Sequence, residues 1–151
     1  MTSFEELLNQ EADTAYVRPP TPPVGTWNAY ILDYEQYESD KKKTPGIRCT
    51  VQLDSPGDDV DAGEMENYEL ERQQAGVEHR KLLYTFWLTQ GAGFMLTEFM
   101  EACGISLTGR TIKDCLTELP GKAVRVYVKH TPSNKPGDDS VFAEISTINA
   151  A

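Results

Sequence analysis

Between Ile47 and Leu53 the chain alternates without a fault: Ile47, Cys49, Val51 and Leu53 share one parity, Arg48, Thr50 and Gln52 the other. Period-two alternation marks a strand with one face on a core and one in water. The pattern recurs at Lys122 to His130, with Val124, Val126 and Val128 inward and Arg125, Tyr127 and Lys129 outward. From Arg80 to Thr89 it separates Leu82, Tyr84, Phe86 and Leu88 from Lys81, Leu83, Thr85 and Trp87. Val141 to Ile148 reads as a further strand. Gly25 to Tyr37 is rich in β-formers, but its alternation slips around Leu32, which predicts a bend or bulge. Tyr30 and Tyr34 are expected on one side of that strand. The turn between the first two strands, Asp40 to Gly46, is lysine-rich and closed by Pro45-Gly46.

Helical periodicity appears in three places. Residues 3 to 12 suit a short amphipathic helix capped by Ser3, with Phe4, Leu7 and Leu8 on one side. Ala92 to Cys103 places Met95, Phe99 and Ala102 in one stripe beside Leu96, Met100 and Cys103, and Gly104 is positioned to end it. Ile112 to Leu119 follows a Thr111/Asp114 capping pair and stops at Pro120-Gly121. Arg18-Pro-Pro-Thr-Pro-Pro23 forbids helix and interior strand and predicts a stiff, extended spacer. Residues 1–23 are therefore expected to be an arm, a helix plus a Pro-rich connection, and residues 24–151 the domain.

The element order predicts a mainly β fold with minor α. Its plan is a five-stranded OB-type barrel with a helix after the third strand and a long excursion between strands two and three. That excursion, residues 54–78, is expected to be an acidic, mobile insertion, with a short helix allowed from Glu64 to Gln74.

Charge changes how the strands are interpreted. The formal net charge of −10 argues against a nucleic-acid partner if spread evenly. It is not spread evenly. Nine carboxylates and a single base, Arg72, fall between Asp54 and Glu78, and the remaining 13 bases and 15 acids nearly cancel. Two stretches contain bases and no acid: Lys41 to Leu53, and Leu119 to Gly137. Bases and aromatics on the outward parity of the strands are what single-stranded nucleic acid requires, since cations offset phosphate and rings stack on bases. The candidate binding residues are Tyr30, Tyr34, Lys43, Arg48, Lys81, Trp87, Arg125, Tyr127 and Lys129. Each taken alone has a plainer explanation as a solvated edge cation or a packed ring; their co-location is the argument.

No catalytic signature is present, and no cofactor or metal site is expected. Gly91-Ala-Gly93 lacks the rest of a phosphate loop, and Asp59-Val-Asp61-Ala-Gly63 fails as a calcium loop at its third ligand. Cys49, Cys103 and Cys115 lie in apolar patterns and read as buried thiols. There is no signal-peptide pattern and no apolar run of membrane-spanning length, so the expected compartment is cytoplasmic.

Several segments together resemble a family. They are Pro23-Val-Gly25-Thr-Trp-Asn-Ala-Tyr30-Ile31, the lysine-rich turn into Gly46-Ile-Arg-Cys-Thr-Val-Gln-Leu53, the helix Phe94 to Gly104, and Leu119-Pro-Gly121-Lys-Ala-Val-Arg-Val-Tyr-Val128. Over about residues 16 to 149 the chain resembles the OB-fold single-stranded-DNA-binding proteins of tailed bacteriophages, including a group long catalogued only as a domain of unknown function. The resemblance implies cooperative coating of single strands during phage DNA replication or recombination in the host cytoplasm. It also implies contacts with replication or recombination proteins, for which the acidic segment is the expected surface. The residues themselves leave two readings of that segment: a displaceable DNA mimic against the Lys41–Arg48 and Lys122–Lys129 patches, or a solvated loop that aids solubility. Self-association stays open. The rival reading is a structural or adaptor protein, of the virion or of a replication complex, using the same barrel for protein contacts.

Overall fold

The computed structural model describes residues 3–9, 20–132, 136–137 and 141–151. Five strands form one sheet: β1 (Gly25–Glu38), β2 (Pro45–Pro56), β3 (Lys81–Trp87), β4 (Ala123–Pro132) and β5 (Val141–Ala150). Their order is β3-β2-β1-β4-β5, and every hydrogen-bonded neighbour is antiparallel. The sheet is not closed into the barrel that the sequence suggested. Its edge strands β3 and β5 run in the same direction and approach each other without pairing.

Four helices complete the described chain: α1 (Phe4–Leu8), α2 (Ala62–Ala75), α3 (Gly93–Ala102) and α4 (Ile112–Leu116). Capping follows the sequence: the Glu6 amide donates to Ser3 Oγ, and the Asp114 amide donates to Thr111 Oγ1. The core lies on one side of the sheet. Ile31, Val51, Val124, Val126 and Val128 share one buried cluster with Leu96 and Met100 of α3 and with Leu119. Phe86 and Phe99 stack at 5.1 Å, which fastens α3 to β3. Burial pushes the Cys49 thiol up to about 12, so it stays protonated and packs as a small hydrophobe.

Two boundaries differ from the sequence reading. Pro22 and Pro23 are buried and belong to the domain rather than to the arm. The Trp27 indole N–H donates to the Pro23 carbonyl at 3.0 Å, and His130 Nε2 lies 2.7 Å from the Pro22 carbonyl oxygen. Residues 10–19, which include most of the expected spacer and the end of the expected first helix, lie outside the described residues.

The second concerns the acidic segment, read from composition as an excursion: the helix allowed from Glu64 to Gln74 is present, slightly longer, and packed on the domain. Strand β2 extends to Pro56, and α2 occupies fourteen residues with Asp61 as its cap and Gly76 at φ 67° as its stop. Tyr68 is the main anchor, with Met65 and Val60 packed on the core beside it. Tyr68 is buried, meets Trp27 edge-on at 5.9 Å and stacks on His79 at 6.0 Å. A mean-polar helix can still be held by a single large aromatic, because that ring alone removes 150–250 Å² from water. The entry loop is tied as well: Asp59 accepts from the Thr26 amide at 2.8 Å and from the Thr26 hydroxyl at 2.9 Å.

Those two bonds hold the Asp59 carboxyl below the usual carboxylate range. A lowered folded pKa means the anchor is fully in place above the ordinary carboxylate range and is lost as the pH falls below it. Asp59→Asn is therefore expected to destabilise the protein slightly at neutral pH and not at strongly acidic pH. Urea melts across that range check it; an equal deficit at all pH values would contradict the anchor.

Candidate nucleic-acid interface

The face of the sheet away from the core carries most of the candidate residues. Cross-strand register places them: Arg48 lies between Glu35 and Thr85, Tyr127 opposite Thr26, and Arg125 opposite Asn28. Lys81, Arg125, Tyr127, Lys129 and Tyr30 are exposed on this side. Leu83 stands among them at 55% exposure.

The bulge expected at Leu32 is present, as a register shift between Ile31 and Asp33. Its consequence corrects one assignment. A single extra residue reverses the parity that follows. Tyr34 therefore sits opposite Cys49, half-buried and packed on the core, and not beside Tyr30. Tyr37 takes the outward place instead. Strict alternation from Tyr30 does not reveal this, because the extra residue at Leu32 exchanges the two faces beyond it.

Trp87 is half-buried on the outward face and not under α3. It pairs with Gly46, and the two aromatics Tyr37 and Trp87 have ring centroids 5.8 Å apart, tilted by 49°. Gly46 is what permits this. A Cβ there would lie 3.0 Å from Trp87 Cε3 and 2.9 Å from Thr85 Cγ2, so glycine lets the indole cross β2 closely. The Arg48 guanidinium sits 4.3 Å from the centre of the Tyr37 ring. The result is a row, Arg48–Tyr37–Trp87, beside the hairpin that carries Lys41–Lys43.

The electrostatics are less uniform than outward parity implied. Arg48 is ion-paired with Glu35, its Nε donating at 2.6 Å. Lys129 stands directly opposite Glu144 across β4–β5. Lys43 is exposed at the hairpin tip in the left-handed region, φ 54°, where glycine would be at ease. Lys81 and Arg125 are exposed; Arg125 shares a shallow cleft with Asn28, Asp58 and Asp59. Lys135, part of the second acid-free stretch, lies outside the described residues.

The acidic segment does not cover the hairpin lysines. Tyr68 fastens α2 at the Trp27 end of β1, where Trp27 faces Pro56; Lys41–Lys43 lie beyond the Glu38–Pro45 pair at the other end. The segment forms a helix docked away from Lys41–Lys43; of its acids, Asp58 and Asp59 share a cleft with Arg125, and Glu78 shares one with Lys81.

Among the described residues no group of three or more His, Cys, Asp or Glu is arranged to hold a metal ion, and no helix is long and apolar enough to cross a membrane. Against known proteins, the chain matches no family model and no curated sequence.

Proposed function

We propose that this chain binds single-stranded DNA on the outward face of β1, β2, β3 and β4, by base stacking supported by phosphate contacts. One observation carries the reading: Tyr37 and Trp87 form an accessible aromatic pair over Gly46, flanked by Arg48 and the Lys41–Lys43 hairpin. Half-exposed rings on a sheet face give up apolar burial that a core position would supply, and base faces are a fitting partner for them. The strand order supports an OB-type barrel as the scaffold. With β3 and β5 running the same way at the open seam and α3 following β3, only the last pairing of that plan is unformed. Coating of single strands in phage replication or recombination is the setting this reading implies.

Titration with oligo(dT) tests it with a built-in control. The two tryptophans differ completely: Trp27 is 0% exposed and Trp87 lies on the face. Binding should quench the Trp87 emission and leave the buried Trp27 signal, isolated in Trp87→Phe, unchanged. No quenching at low salt would sink the DNA reading. It would favour the adaptor alternative, to which the exposed Leu83 and the Glu35–Arg48 pair are suited as a protein-contact surface.

The cations should not contribute equally. Among the described residues Lys43 makes no ion pair, whereas Arg48 must release Glu35, Arg125 shares its cleft with Asp58 and Asp59, and Lys129 faces Glu144. Lys43→Ala is expected to reduce the log-affinity against log-salt slope by about 0.7. Arg125→Ala and Lys129→Ala should change it less. Equal slopes for all three variants would contradict this ranking. Lys43→Gly should lose the same affinity without lowering the thermal midpoint, since it relieves the left-handed backbone.

A further inference from the structure

We infer that the cleft between α3, β3 and β5 is a docking site for a basic peptide segment of another protein, anchored by one bulky apolar side chain. α3 buries Leu96, Phe99 and Met100 but leaves Phe94 and Met95 51% and 52% exposed. A helix whose large apolar residues extend past its buried face has a second surface to cover. Met95 lines a cleft of about 480 Å³ together with Tyr84, Phe86, Phe99, Ala102 and Ile148. That size lies within the roughly 300–1,000 Å³ of clefts that bind ligands. Tyr84 adds a polar handle to the apolar lining. It meets Phe86 edge-on at 5.0 Å, and burial holds its hydroxyl above the ordinary phenol value, so it stays a donor. Among the described residues that hydroxyl has no hydrogen-bond partner. A half-buried tyrosine normally finds one, and the main-chain carbonyl of a guest peptide would supply it.

Charge names the occupant. Glu98 lines the cleft and Glu101 follows it on the same helix, both exposed. α3 contains no base, and among the described residues none lines the cleft. Ala102, in the last turn of α3, is also part of the lining, and the carbonyl end of a helix adds negative potential there. Lys122 lies beyond that end, beside Cys103. A polyanion or an anionic lipid surface would set like charge against these carboxylates, whereas lysines or arginines flanking an apolar anchor complement them. The cleft beside α2 differs, because Arg80 and Lys81 stand in it with Glu78. The larger acid count of that segment therefore does not make it the better match. The chain's own candidates do not fit either. α1 carries Glu5 and Glu6, and the Lys41–Lys43 hairpin has no bulky apolar residue from Glu38 to Gly46. The occupant is thus a different protein. Tyr84 and Phe86 have the core-facing parity of β3, so the cleft lies on the opposite side of the sheet from Lys81 and Trp87, and both sides can be occupied at once.

This goes beyond the proposed DNA binding and does not rest on it, and its test contains no nucleic acid, so either can fail alone. The probe is the synthetic peptide Lys-Lys-Phe-Lys-Lys, titrated into the isotope-labelled full chain and followed through the backbone amide shifts. Saturable shifts are expected across residues 93–102 and 147–150, with residues 62–75 of α2 unmoved. Replacing the peptide's Phe by Ala should weaken binding by at least about tenfold, since the anchor's apolar burial is lost. Glu98→Lys/Glu101→Lys should leave the fold intact, as both side chains are exposed. It should bind the basic peptide at least about tenfold more weakly and take up Glu-Glu-Phe-Glu-Glu instead, because the charge match is reversed while the apolar lining is kept. No saturable shift at millimolar peptide overturns the inference, and so do shifts centred on α2. Equal binding of the Ala peptide, or a charge-reversed protein that still prefers the basic peptide, overturns it too.

Discussion

Trp87→Ala is expected to weaken oligo(dT) binding by roughly 1–3 kcal/mol, a loss of about fivefold to somewhat over a hundredfold, while the protein remains folded. The reason is positional. The indole is not part of the buried cluster behind the sheet; it lies across Gly46 on the other side, in contact with Tyr37. Removing it costs the stacking surface and little of the core. Tyr37→Ala should lose a comparable amount, and the two losses should not add, because the rings touch and each orients the other. Gly46→Ala is a sharper probe of the same point. It keeps both aromatic residues but puts a methyl 3.0 Å from the indole, so the ring must shift and affinity should fall. Fluorescence anisotropy with labelled oligo(dT), run beside urea melts, separates binding from stability. A Trp87→Ala protein that binds as tightly as the wild type would remove the aromatic row from the interface.

Tyr68→Ala is expected to cost about 3 kcal/mol of stability or more, in the range seen for truncating large buried aromatics. Tyr68 is the buried residue of α2, and its ring touches Trp27 and His79. Burial raises the pKa of its hydroxyl, to which the Arg80 amide donates. The variant should also release α2: amide protection across residues 62–75 should collapse below that of β1 and β2. DNA binding at low temperature should survive, since Tyr68 is on the far end and far side from Trp87. A loss under about 1 kcal/mol, the least expected of any sizeable buried truncation, with α2 amides already unprotected in the wild type, would restore the mobile excursion that composition suggested.

The two variants also show where sequence reasoning reached its limit. The outward placement of Lys81, Trp87, Arg125, Tyr127 and Lys129 was legible, because strand parity is a local property of the backbone. The placement of Tyr34 was not. Parity carries through a strand only until an extra residue intervenes, and whether Leu32 opens a bulge is settled by its partner strand, in which Asp33 pairs with Thr50. The neutralisation of Arg48 was equally out of reach. Glu35 and Arg48 are thirteen residues apart and meet only through the β1–β2 register.

By itself the sequence determined the five strands, the caps at Ser3 and Thr111, the helices after β3, and which face of β2, β3 and β4 meets the core. Each of these is written in residues a few positions apart, whose periodicity and capping chemistry act locally. The tertiary structure alone decided that Pro22 and Pro23 join the domain, that Tyr68 pins an acidic helix against Trp27, and that Tyr37 rather than Tyr34 stands beside Trp87. Those outcomes depend on contacts between segments distant in the chain. Their free energies come from burial and register across the sheet, which no local pattern encodes.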